Sequence, residues 1–179
     1  SECEREEYLD IVKANSNLLL HLINDILDLS RIESGKMEFI DENIQMDELC
    51  EELRQMHQMR IKNDVKVIFE RPVASLTIVS DSHRLRQLYS NLISNAIKYT
   101  EKGSISLGYK LKGDMMEGYV RDTGSGIPAE KLNNVFGRFE KLDLLKQGFG
   151  LGLSICKSIL DKMGGEIWVE SELGVGSCF

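Results

Sequence analysis

Asp122-Thr-Gly-Ser-Gly-Ile-Pro128, Phe136-Gly-Arg-Phe139 and Gly148-Phe-Gly-Leu-Gly-Leu153 are the segments on which the reading of this chain turns. Two glycine clusters flank a short charged segment. Glycine adopts backbone conformations closed to other residues and lets a ligand come close to the chain, so such clusters mark turns around a bound group. The second cluster leads into Leu151-Gly-Leu-Ser-Ile-Cys-Lys-Ser-Ile-Leu160, an apolar run that reads as the start of a helix. The first N–H groups of a helix lack partners and lie at the positive end of its dipole, which makes a ready anion site. The stretch predicts a phosphate-bearing ligand held between Asp122 and that helix.

Upstream, Asp81 predicts the cap of a helix from Ser82 to about Tyr99, with Leu85, Leu88, Leu92, Ile93, Ala96 and Ile97 on its inner side. Asn91, Asn95 and Lys98 stand three or four residues apart and so share one face of it. Amide oxygens suit Mg²⁺, which also takes water and phosphate oxygens, and a lysine balances phosphate charge. A solvated polar stripe has the same spacing. Asp122 closes an apolar strand, where a carboxylate accepts a hydrogen bond from an exocyclic amine such as that of adenine. An ordinary tight turn with an Asx-type bond reads equally well. Phe136 and Phe139 either anchor a mobile segment or simply pack in the core. Residues 140–147 read as a lid carrying Lys141 or Lys146 to a phosphate, or as a solvated loop.

Further out, Glu4 to Ile32 holds neither glycine nor proline. Val12, Leu19, Ile23 and Ile26 form one apolar stripe, and Ile11, Leu18, Leu22, Leu29 and Ile32 a neighbouring one. The result is a rod of roughly 45 Å at ~1.5 Å per residue, ended by Ser34-Gly35. Its wide face predicts packing on another chain or segment, and self-association if left uncovered. Shorter elements follow: strands at Met37–Ile40, Val65–Phe69 and Leu76–Val79, and a helix capped by Asp47 and running to about Lys62. Two strands, Ser104–Leu111 and Tyr119–Asp122, turn near Gly113-Asp114. A short helix Ala129–Val135, a helix ending near Met163 and a strand Glu166–Glu170 complete the order. Strands interspersed with helices that can share one face predict an α+β two-layer sandwich preceded by one long helix.

Composition narrows the function classes. Hydrophobic residues are 42% and charged ones 28%, a soluble globular balance, and no apolar run approaches the ~18 residues that cross a bilayer. A net charge of −7 speaks against a nucleic-acid surface. The four scattered cysteines lack CxxC spacing, which points away from a disulfide or zinc framework and towards reduced thiols.

Taken in order, Asn-x3-Asn-Ala-x-Lys-Tyr, then DTGSGIP, FxxF and GxGLGL resemble the N, G1, F and G2 boxes of the sensor histidine kinases, within the wider ATP-binding group of gyrase, Hsp90 and MutL. Leu22-Ile-Asn-Asp-Ile-Leu-Asp-Leu-Ser-Arg-Ile-Glu-Ser-Gly35 looks like the second helix of their dimerisation and phosphotransfer domain. Gly164-Gly-Glu-Ile-Trp-Val-Glu-Ser171 and Gly174-x-Gly-Ser-x-Phe179 resemble their closing strands.

The resemblance implies residues 1–36 as a partial dimerisation helix and 37–179 as a Bergerat-type ATP-binding catalytic domain. It implies Asp122 on the adenine amine, Gly124 and Gly126 giving the ring room, and Tyr99 near the base. It places Asn95 on Mg²⁺, Asn91 and Lys98 beside the phosphates, and Gly148, Gly150, Leu151 and Gly152 around the phosphate chain. Lys141 matches a basic position near the γ-phosphate. Implied partners are ATP, the acceptor-histidine helix, a response-regulator receiver domain and a second protomer, in a cytoplasmic portion of a membrane-anchored parent.

Where related ATPases carry a water-activating glutamate this chain has Asn91, and an amide is no general base at neutral pH. Slow hydrolysis and transfer of the γ-phosphoryl to a histidine follow. His21, His57 and His83 lack the acceptor context, so the expected acceptor lies outside them, and the fragment is expected not to autophosphorylate alone. Phe149 departs from the small residue usual in its box, and the lid is short. A nucleotide-binding scaffold module and a hydrolytic ATPase are the competing readings.

Overall fold

The computed structural model describes residues 2–61, 64–140 and 148–179. Helix α1, Glu2–Glu33, is followed by strand β1, Glu42–Gln45, helix α2, Met46–Gln58, and strands β2, Val65–Glu70, and β3, Thr77–Ser80. Next come α3, Ser82–Tyr99, β4, Gly103–Lys112, β5, Met115–Asp122, and a 3-10 turn, Ala129–Asn134. Helix α4, Gly152–Met163, and strands β6, Glu170–Glu172, and β7, Gly176–Cys178, complete the order.

Alternation along β2 and β4 turns Val65, Val67, Ile105, Leu107 and Tyr109 inward, so one face of the sheet is apolar and must be covered. The sheet runs β2-β4-β5-β7-β6, with β2 parallel to β4 and the other pairs antiparallel. Helices α2, α3 and α4 cover it through Leu49, Leu53, Leu88, Ile93, Ile155 and Ile159. This is the α+β two-layer sandwich predicted from the element order. Burying each aliphatic side chain of this kind contributes about 1.5–3 kcal/mol. A separate antiparallel pair, β1 with β3, closes one end.

The two stripes of α1 part company. Leu29 and Ile32 are buried and Leu22 is half-buried against the domain, where α1 meets α4. Asp28 adds polar contacts to α3. Its Oδ1 lies 3.4 Å from Arg84 Nη1, and its Oδ2 accepts from Gln87 Nε2 at 2.6 Å. The other stripe, Val12, Leu19, Ile23 and Ile26, is exposed.

Six local expectations give way. Met37–Ile40 is not a strand: the Met37 N–H bonds back to Arg31 O, and the Ile40 N–H donates to Asp81 Oδ2, so pairing begins only at Glu42. Asp47 does not cap α2; the cap position is Gln45, and Asp47 accepts from the Tyr109 hydroxyl. The segment Ala129–Asn134 is 3-10, not α. The strand expected at Glu166–Glu170 begins only at Glu170, as β6, because its partner β7 reaches only from Gly176 to Cys178. The predicted end of α2 at Lys62 lies outside the described residues, and α2 stops at Gln58. His57, expected on a helix surface, is buried with Nε2 3.4 Å from Ser90 Oγ, because the end of α2 tucks against α3.

Candidate nucleotide site

Asp81 sets the register of α3: its Oδ1 accepts the Arg84 N–H at 2.9 Å, a side-chain cap as predicted. From that start, one face of the helix turns Asn91, Asn95 and Lys98 towards the second glycine cluster. Asn91 Nδ2 donates to Gly152 O at 3.4 Å. Lys98 Nζ stands 3.4 Å from the position a Cβ on Gly148 would take, and 5.0 Å from the centroid of the Tyr99 ring. Asn95, half-buried, lies between the two on that face. The structure thus brings together two segments that lie about fifty residues apart in sequence.

Gly150 has φ of +72°, where an L side chain is strained, and a Cβ there would run into Glu140 O. Its carbonyl accepts the Phe139 N–H at 2.9 Å. Helix α4 then starts with no side-chain cap, leaving its first N–H groups for another partner. Leu151 is 1% exposed, so what it offers the site is backbone only. Phe149 packs partly buried on the core. The two phenylalanines of the FxxF element differ. Phe136 meets Phe179 edge to face at 6.2 Å, whereas Phe139 has φ of +61° and a ring that is 66% exposed. Lys141 and Lys146 lie outside the described residues.

At the other cluster, Asp122 is the last residue of β5 and buried. Its Oδ1 accepts the Gly124 N–H at 2.8 Å. Burial pushes its carboxyl above the ordinary value, against the hydrogen bonds it accepts from the Gly124 and Ser177 N–H groups. Gly126, with φ of +67°, passes so close to Glu172 that a Cβ would run into its carbonyl oxygen. A Cβ on Gly124 would meet Tyr99 O, and would stand 2.9 Å from both Asp122 Oδ1 and Thr100 Oγ1. Tyr99 is held there because its carbonyl accepts the Ser125 N–H at 3.1 Å.

Sequence reasoning passed over Thr100 and Ser177. Both are buried; the Ser177 N–H bonds Asp122, and Thr100 Oγ1 and Asp122 Oδ1 both lie 2.9 Å from where a Cβ on Gly124 would stand, placements that only the fold makes. The one available signal was Thr100 directly following the last helical residue, where the chain must turn into β4.

A continuous wall therefore runs from a buried carboxylate, past the end of α3, to an uncapped helix start with a lysine beside it. A base with an exocyclic amine fits the first end, and phosphates fit the second. Among the described residues no group of three or more His, Cys, Asp or Glu side chains is placed to hold a metal. Such a donor set suits an ion that takes most of its ligands from water and phosphate.

Residues 80–179, more than half of the chain, match the family model described as histidine kinase-, DNA gyrase B- and HSP90-like ATPase. The chain belongs to this family. Residues 1–35 match the model of the His Kinase A (phospho-acceptor) domain. Among named relatives, hybrid signal transduction histidine kinase B of Dictyostelium discoideum is 38% identical over 98% of this chain and 9% of that protein. The structure of full-length ShkA in complex with AMPPNP has a TM-score of 0.83 and 29% identity, over 98% of this chain and 38% of that one. The nucleotide-free catalytic domain of histidine kinase ThkA has a TM-score of 0.69 and 32% identity, over 80% of this chain and 93% of that one. The chain spans only about a tenth of the first-named relative. Its fold and family are those of a sensor histidine kinase catalytic domain.

Proposed function

We propose that this chain binds Mg-ATP and presents the γ-phosphoryl to a histidine that is none of His21, His57 and His83, for onward transfer to a response-regulator aspartate. The observation that carries the reading is the meeting of the α3 face, Asn91, Asn95 and Lys98, with the Gly148–Gly152 loop, while Asp122 stands buried beside the end of the same helix.

In this reading Asp122 receives the adenine amine, with Gly124, Gly126 and Tyr99 around the base. The Gly148, Gly150, Leu151 and Gly152 backbone and the start of α4 take the phosphate chain. Asn95 holds Mg²⁺, which neutralises phosphate charge when bound. Asn91 and Lys98 flank it, and Lys141 reaches the γ-phosphate from the lid. Phosphoryl transfer rests mainly on positioning and charge neutralisation, so no general base is required at Asn91.

Residues 1–36 are the dimerisation helix and 37–179 the catalytic domain. The exposed stripe of Val12, Leu19, Ile23 and Ile26 is covered by the acceptor helix and by a second protomer in the parent. No described helix is long and apolar enough to cross a membrane; this portion is cytoplasmic and its parent membrane-anchored.

Titration calorimetry with ATP, with and without Mg²⁺, tests the binding half of the proposal. Transfer of label from ATP onto a supplied fragment carrying an acceptor histidine, lost in Asn95→Ala, tests the other. Steady phosphate release without transfer points instead to a hydrolytic ATPase, and tight binding with neither to a scaffold module.

A further inference from the structure

Thr100 follows the last residue of α3 and is 2% exposed, yet among the described residues its buried hydroxyl has no hydrogen-bond partner. Leaving a buried hydroxyl unpaired costs about 1–3 kcal/mol, so such a group calls for an explanation. Its surroundings supply one. The point where a Cβ on Gly124 would stand is 2.9 Å from Thr100 Oγ1 and 2.9 Å from Asp122 Oδ1, with Tyr99 O also in contact. Glycine at 124 therefore lets one unpaired donor and two acceptors converge on a point where a methyl group would not fit. Tyr99 O already accepts from the Ser125 N–H. The carboxylate, which accepts only two N–H bonds for its four lone-pair positions, has capacity left.

We propose that Thr100 is a positioning residue for the base: when nucleotide is bound its hydroxyl donates to Asp122, holding Oδ1 in place so that Oδ2 faces the exocyclic amine. The role rests on the nucleotide reading above and adds a residue to it. A base stacked over the cluster excludes water from it, and a hydrogen bond donated to a desolvated carboxylate then strengthens. Thr100 acts through Asp122 and touches no reacting atom. The backbone prepares it for this: the Thr100 N–H still bonds Ala96 O at 3.0 Å, which fixes the side chain at the mouth of the turn.

Among the ionisable groups on the elements that meet at Asp122 are Lys98 and Tyr99 at the end of α3, Tyr109, Lys110 and Lys112 of β4, Tyr119 and Arg121 of β5 and Cys178 of β7. None of them is among the influences on its carboxyl, which are burial and the two N–H bonds. A donor added by Thr100 favours the ionised form in the complex, and its removal leaves that form less favoured.

The test uses the unsubstituted 179-residue chain, Thr100→Val, which keeps the shape, and Thr100→Ser, which keeps the hydroxyl. ATP affinity is measured by calorimetry from neutral pH downwards, and thermal unfolding is followed without nucleotide. In the valine variant the nucleotide-free melting temperature is expected to stay level or rise, because an unpaired polar group has gone. Its ATP affinity falls roughly tenfold, and the pH at which affinity has halved moves upwards; the serine variant returns both to the unsubstituted values. A valine variant with unchanged affinity and pH midpoint overturns the role. So does one that loses melting temperature and affinity together with the midpoint unmoved, which is the mark of a packing residue. Absence of any ATP binding by the unsubstituted chain overturns the nucleotide reading itself, and is told apart by that measurement alone.

Discussion

The two glycine clusters look alike in sequence, yet the protein builds them on different principles. The Asp122–Gly126 end is part of the sheet. Gly126 is pressed against the Glu172 backbone, and Thr123 Oγ1 accepts the Ser104 N–H at 3.0 Å. The Gly148–Gly152 end is hung between the Phe139–Gly150 hydrogen bond and the start of α4, and at Gly152 a Cβ would meet only the Asn91 side chain, at an ordinary 3.7 Å. Glycine is needed for the fold at Gly126 and again at Gly150, where a Cβ would meet Glu140 O, whereas at Gly152 the fold has room for a methyl group. A pocket made this way has one rigid wall and one adjustable wall, which suits a ligand with a fixed base and a phosphate chain that must be closed over and then released.

The contrast is broken most sharply at Gly126. Alanine there meets both the Glu172 carbonyl and an unfavourable φ, so a stability loss of about 3 kcal/mol or more is expected in urea unfolding. Asp122→Asn comes next. It replaces the carboxylate acceptor by an amide and is expected to lower ATP affinity by roughly a hundredfold, with the fold retained. Because burial raises the Asp122 carboxyl, affinity in the unsubstituted chain also falls on acidification, beginning above the ordinary aspartate range.

Gly152→Ala sharpens the same comparison from the other side. The new methyl stands 3.7 Å from Asn91 Cγ, an ordinary contact. Melting temperature is expected to hold or rise, the change being worth about 0.4–1 kcal/mol, while ATP affinity is expected to drop severalfold if the phosphate chain binds where we propose. If stability falls and affinity does not, the division between the two ends is wrong.

The smallest effect lies outside both ends. Burial, with a contribution from Arg60, holds the His57 imidazole below its ordinary value, so the unfolded chain takes up the proton first. Its stabilising contribution is present above about pH 6.5 and is lost as pH falls through the lowered folded value, by at most about 1.4 kcal/mol per pH unit. Urea midpoints taken between pH 7.5 and 5.5 measure it, and His57→Gln should flatten the slope.

Much of the site was legible before any coordinates. Asn91, Asn95 and Lys98 share a face because a helix repeats every 3.6 residues, and the Asp81 cap is a local matter of one side chain and one N–H. The errors share a cause. Met37–Ile40 has strand-like residues, but its N–H groups are claimed by Arg31 and Asp81 instead of a neighbouring strand. Asp47 is a good cap residue whose carboxylate is claimed by Tyr109, sixty-two positions away. Such competition between a local partner and a distant one is invisible to any local reading.

What the sequence by itself determined is therefore whatever depends on spacing along one element: the long helix, the stripe of amides on α3, the turns at both glycine clusters, and the family they mark. Only the tertiary structure decided which acceptor each buried donor finds, and that of the two stripes on α1 it is the C-terminal part of one that is covered, Ile11 of the same stripe staying exposed. Leu29 and Ile32 are buried at 8% and 7% exposure while Ile23 and Ile26 remain at 45% and 49%, though the four are alike in hydrophobicity. Thr100 belongs to the same class. Its unpaired hydroxyl is a property of three chain segments meeting at Gly124, and only the packed fold brings them within hydrogen-bonding range of one point.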